Sequence, residues 1–139
     1  MNSDLARFLD AQKNSYQIAL SEIKSARKIS HWMWYIFPQI AGLGQSETSK
    51  FYAIKNIEEA GDYLNHEILG NRLREISNEL LNLKENNARN IFNTPDDLKL
   101  ISSMTLFVQV EKGTSIFQKV LDKFFNGESD DKTIKILKG

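Results

Sequence analysis

Apolar and polar positions alternate along most of this chain at helical rather than strand spacing. The clearest stripe lies in HEILGNRLREISNELLNLK. There Leu69, Leu73, Ile76, Leu80 and Leu83 share one helical face. Upstream, Tyr16, Ala19, Leu20, Ile23 and Ala26 form a second face. Asn14 and Gln17 read as its capping box, and Arg27 and Lys28 close it at the negative end of the dipole. Ser3 is a candidate cap for a first short helix bearing Leu5, Phe8 and Leu9. Ser46 is placed to cap a short helix through Tyr52 and Ile54, and Asn56 with Glu59 to box one ending near Leu64.

ENNARN reads as a polar break. NTPDDLKL reads as a helix start, with Thr94 the cap, Pro95 in the first turn, and Asp96 and Asp97 at the positive dipole end. The following face runs Leu98, Ile101, Thr105 and Val108, with Leu100, Met104 and Phe107 beside it. After Gly113 and Thr114, the residues Phe117, Val120, Leu121 and Phe124 point inward, and Gly127 suits a left-handed helix end. Asp130 is the expected cap of a last helix with Ile134 and Leu137. The loops are short, with no long repeat and no Pro-rich linker. The pattern predicts an all-α fold, one compact domain over residues 1–139 with roughly six to eight helices.

One stretch resists the periodicity. ARKISHWMWYIFPQIAGLG holds both tryptophans, one of the two histidines and one of the two prolines. SHWMWYIFPQ is apolar on both faces as a strand and apolar nearly all round as a helix. Its helical neighbours favour a buried helix capped by Ser30 and ended by Pro38. Aromatic bulk of this kind is core material. His31 beside Arg27, Lys28 and Ser30 nevertheless resembles the polar mouth of an apolar pocket.

Composition narrows the chemistry. Eighteen basic and eighteen acidic residues leave no net charge to draw in nucleic acid or an anionic membrane. The chain has no cysteine, which excludes thiolate chemistry and disulfides and suits a cytoplasmic setting. The charged N-terminus is not a signal peptide, and no run is long enough to span a membrane. Two histidines far apart in sequence offer no metal motif, and no cofactor fingerprint is present.

The serines are ambiguous. His31 with Ser46, Ser102 or Ser103 is the candidate acid–base and nucleophile set, yet Ser46 also suits a helix cap and small residues on a helix also serve close packing. GLGQSETSK sets Gly42 and Gly44 before a helix start, where free N–H groups hold an anion.

SHWMWYIFPQIAGLGQS, EAGDYL, LGNRL, PDDLKLISSMTLF and VLDKFFNG together resemble the bacterial domain-of-unknown-function 1810 family, over about Leu5 to Leu137. Some of its members carry the label calpastatin, which nothing in this sequence supports. The resemblance implies an all-α domain and, through associated genes, a link to NAD or ADP-ribose metabolism. Carried over position by position, it marks Lys28, His31, Trp32, Trp34, Gln39, Gly42, Gly44, Ser46, Tyr52, Lys99, Ser102, Ser103 and Thr105. The chain departs from it at Ala26 and Asn93, where glycine is common, and at Glu67, where proline is common. Asparagine tolerates a left-handed turn.

A core needs size and shape, not a His, a Gln, a Lys and paired serines. The surplus of polar motif residues points to a site for a small anionic, nucleotide-like ligand. Arg27 and Lys28 would hold its charge, His31 would be acid–base or a phosphate donor, and Trp32 or Trp34 would stack its ring. The alternative is a helical protein-interaction module with an exposed apolar patch and no deep pocket.

Overall fold

The computed structural model describes residues 4–113 and 115–139, so the expectations on Ser3 and Thr114 lie outside the described residues. Among the described residues there are ten helices and no strand. They are α1 (Ala6–Gln12), α2 (Tyr16–Lys24), α3 (Met33–Ile36), α4 (Glu47–Tyr52), α5 (Ile57–Asn65), α6 (Glu67–Asn82), α7 (Ala88–Phe92), α8 (Asp96–Val110), α9 (Ile116–Phe125) and α10 (Asp131–Lys138). The all-α expectation holds. The count exceeds six to eight: α7 lies where the pattern reads a break, and α3, α4 and α7 are short, with four, six and five residues. The polar break ENNARN conceals α7: Asn87 accepts a hydrogen bond from Arg89 N–H, while Ala88, Ile91 and Phe92 are buried.

The buried apolar side chains form one cluster around α8, against which α5, α7, α9 and α10 pack. A helix covered on several sides has no single apolar stripe. The expected face is therefore corrected. Of that face only Thr105 is fully buried; Leu98 is 54% exposed and Ile101 and Val108 are half-buried, whereas Leu100, Met104, Leu106 and Phe107 are fully inside. The stripe on α6 holds, with Leu69, Leu73, Ile76 and Leu80 buried against neighbours that include α2, α5 and α9. A β-carbon on Gly70 would lie 2.0 Å from the Leu64 carbonyl oxygen, so only glycine fits this α5–α6 corner. His66 serves the same corner, its Nδ1 accepting from the Ile68 and Leu69 N–H groups.

Capping follows the sequence unevenly. Ser46, Asn56 and Asp130 accept N–H bonds from Ser49, Glu59 and Thr133, as the pattern predicts. Asn14 and Gln17 form no box: Ser15 occupies the cap position of α2, and its hydroxyl accepts from Tyr35 instead. No side chain caps α8, so Thr94 does not play that part. Ser30 likewise does not cap α3.

Ser30 is held by Glu22, as is most of its segment. The Glu22 carboxylate accepts from Ile29 N–H at 2.8 Å, Ser30 N–H at 2.9 Å, Ser30 Oγ at 2.6 Å and Trp32 Nε1 at 2.9 Å. Burial alone would raise its pKa, but the bonds from Ser30, Ile29 and Trp32 outweigh it and lower the group from 4.5 to about 2.

The turn that makes this possible ends α2 at Lys24, earlier than Arg27 and Lys28 suggest. Arg27 N–H reaches back to Glu22 O at 3.0 Å and Ala26 N–H to Ile23 O at 2.8 Å. This is a Schellman ending with Ala26 in its left-handed position at φ +58°. Asn93 has φ +62° with ψ 176°, a region suited to glycine and not the left-handed well that asparagine tolerates. Glu67, the other departure, opens α6, where an acidic residue meets the dipole and proline also fits.

Two outcomes follow from these contacts. Ala26→Gly relieves a β-carbon clash that costs about 1 kcal/mol, so urea denaturation is expected to show a stabilised variant. An unchanged or lower midpoint would contradict the strained turn. Glu22 titrates in the folded protein below its ordinary pKa, so the stability it confers is present above pH 4.5 and is lost as pH falls toward about 2. The stability gap between the wild type and Glu22→Gln should shrink across that window in melts read by tryptophan fluorescence. A gap constant with pH would show that the carboxylate is not the active element.

Candidate functional site

The bridge between Ile40 and Ile54 organises one face of the molecule. Ala41 N–H donates to Ile54 O, and Ile54 N–H to Gln39 O, both at 2.8 Å. They fix the segment after α3 beside the end of α4. Gly42 then turns with φ +106°, and a β-carbon there would come 3.3 Å from Ile136 Cδ1 of α10. A β-carbon on Gly44 would lie 2.5 Å from Ser49 Cβ, so the chain passes close under α4 only as glycine.

The opposite wall is α8 with the start of α10. Asp130 joins them: its Oδ2 accepts from Ser102 Oγ at 3.2 Å, Thr133 N–H at 3.1 Å and Thr133 Oγ1 at 2.5 Å. Its own N–H donates to Thr105 Oγ1 at 2.9 Å. Between the walls lies a cleft of about 470 Å³. That volume falls within the roughly 300–1,000 Å³ of small-molecule sites.

The cleft gathers Trp34, Gln39, Gly42, Gly44, Tyr52, Lys99 and Ser102, seven of the sequence candidates. It also takes Lys50, Asp130 and Lys132, which the sequence did not single out. Asp130 was legible only as a helix cap, and nothing local signals that α10 folds back on α8. Apolar lining comes from Ile40, Leu43 and Leu98. Tyr52 rests among Phe8, Tyr35 and Phe51, and burial, with Tyr35 next to it, raises its phenol pKa.

Lys99 is the most constrained of the three cleft lysines. Its Nζ sits 3.3 Å from Asp96 Oδ1 and 4.6 Å above the Trp34 ring. The other Asp96 oxygen holds Lys28 Nζ at 2.9 Å. Lys28 is buried, donates also to Ser30 O at 2.5 Å, and lies 4.9 Å over the Trp32 ring. It backs the cleft wall without lining it.

The remaining candidates do not line the cleft. Arg27 and His31 are exposed elsewhere. Trp32 is 1% exposed with its Nε1 on Glu22, so it has no free face for a ring. Ser46 caps α4 at the surface, and Ser103 Oγ is buried without a hydrogen-bond partner. His31 is thus not brought to Ser102 or Ser103. Ser102 faces a carboxylate with no imidazole between them, and its hydrogen bonds to Asp130 and Leu98 O describe a clamp between helices. The arrangement can hold an anion against an aromatic and apolar surface.

Among the described residues, no helix is long and apolar enough to cross a membrane. The exposed large apolar residues Ile18, Ile29, Phe51, Ile68 and Leu98 belong to five separate segments.

Comparison with known proteins agrees with this fold. A conserved hypothetical protein from Mycobacterium tuberculosis, known from its crystal structure, is 40% identical, with a TM-score of 0.96 over 99% of this chain and 98% of that one. Among curated proteins none matches. The model of the family described as protein of unknown function DUF1810 matches residues 2–137, and the chain belongs to that family.

Proposed function

We propose that the cleft between α4, α8 and α10 binds a small anionic ligand of nucleotide size. The observation that carries this reading is the gathering of Lys50, Lys99 and Lys132 around one cavity with a single lining carboxylate, Asp130, in a chain whose total charge is zero. Concentrated positive charge beside apolar walls is favourable to an anion, because the walls lower the local dielectric. Gln39, Ser49 and Ser102 supply neutral polar groups at the same surface. The nucleotide-like part of the reading rests on the aromatic lining by Trp34 and Tyr52. With Lys99 over one Trp34 face, a ligand ring would use the rest of that wall.

Binding without catalysis is the reading that the geometry favours, since His31 is not brought to the cleft serine. An interaction module predicts no pocket of this size, and the cleft counts against it.

A thermal-shift and calorimetric panel of adenosine 5'-monophosphate, NAD, ADP-ribose and a sugar phosphate tests the proposal. A ligand present at a hundred times its Kd stabilises the native state by about 2.7 kcal/mol, a readily measured rise in Tm. Lys99→Ala should weaken that ligand about tenfold, the worth of one charge-assisted hydrogen bond. No shift with any of the four at millimolar concentration would overturn the reading.

A further inference from the structure

We infer, resting on the ligand-binding reading above, that the group the cleft selects is a phosphate monoester carrying two negative charges. The inference comes from the charges that are already matched. Asp96 is shared between Lys28 and Lys99, so one carboxylate faces two ammonium groups. Lys50 and Lys132 line the same cleft, and among the described residues Asp130 is the only acidic one that does. The three lysines that line the cleft face one lining carboxylate, and Lys28 and Asp96 behind the wall offset each other, which leaves a formal excess of two positive charges. Glu47 and Asp131 stand on the same helices as Lys50 and Lys132 but do not line the cavity.

Part of that excess is held in place, at Lys28 and Lys99, while Lys50 and Lys132 are exposed at the rim. Side-chain exposure is 24% at Lys99 and 6% at Lys28, so water screens this part of the charge poorly. Asp130 cannot swing across to neutralise it, because its Oδ2 is fixed by Ser102 and Thr133. A monoanion would leave one positive charge of the cleft unmatched. A phosphate monoester places two charges and three acceptor oxygens in one compact group, which suits several ammonium donors arranged around it. The apolar lining of Ile40 and Leu43 then accommodates the uncharged body of the molecule.

The test holds the body constant and varies the head. Isothermal titration would compare adenosine, the 5'-monophosphate and its methyl phosphodiester, which differs from the monoester by one charge and one methyl group. The monoester should bind about tenfold tighter than the diester, and Lys132→Ala should reduce that preference severalfold. Adenosine should bind weakest of the three. Succinate, with its two charges on separate groups, should also bind more weakly than the monoester. If monoester and diester bind equally and both are lost in Lys99→Ala, the charge selection is wrong while the cleft remains an anion site. Tighter binding of succinate than of the monoester would overturn the assignment to phosphate. No binding by any probe would remove the ligand reading and this inference together.

Discussion

The Asp96 carboxylate, shared between Lys28 and Lys99, is the contact on which the candidate site depends. Among the described residues Lys28 is the one buried basic residue, and a buried ammonium group needs an anion and hydrogen-bond acceptors. Asp96 supplies the anion, Ser30 O an acceptor and the Trp32 ring a polarizable face. Removing one partner of such a pair strands the other charge, at a cost of about 3–5 kcal/mol. Asp96 also lies in the first turn of α8, where the helix dipole favours a negative charge. One residue thus ties the loop after α2 to the central helix and holds Lys99 over Trp34.

Two polar clamps of similar logic hold the remaining walls. Glu22 gathers the segment before α3 by accepting bonds from Ile29, Ser30 and Trp32. Asp130 gathers the start of α10 by accepting from Ser102 and Thr133. In each case one carboxylate satisfies several donors that would otherwise be costly to bury. This accounts for much of the polar surplus that a plain helical core does not need. It also separates the candidates by role. Ser30 and Trp32 build the frame, Ser102 belongs to both frame and cleft, and Lys99 faces the cavity.

The helical class and most long helices were legible because burial on one face imposes a period, as on α6. The period fails where a helix is enclosed. On α8 the true inward residues Leu100, Met104 and Phe107 stood beside the stripe that the pattern favoured. It also fails for α7, whose five residues are too few to display a repeat. Gly42 and Gly44 were legible from local chain geometry, and Gln39 only through the family resemblance. Lys50, Asp130 and Lys132 were not, since their role arises from contacts between elements distant in sequence. His31 was misleading: being next to basic residues in sequence did not bring it to the serines of α8.

The tie between Lys99 and Asp96 does not cancel the lysine as an anion receptor, because of the geometry of an ammonium group. It carries three N–H donors. One is directed to Asp96, and the cation's approach to the Trp34 face requires no donor of its own to be consumed. Donors therefore remain for an incoming oxygen. Holding the side chain in this position also removes rotamer freedom before any ligand arrives, which lowers the ordering cost of binding. Asp96 in turn keeps its second oxygen on Lys28, so an anion that draws on Lys99 does not leave the carboxylate without a partner. The same contact that stabilises the wall would thus prepare its charged group for the anion proposed above.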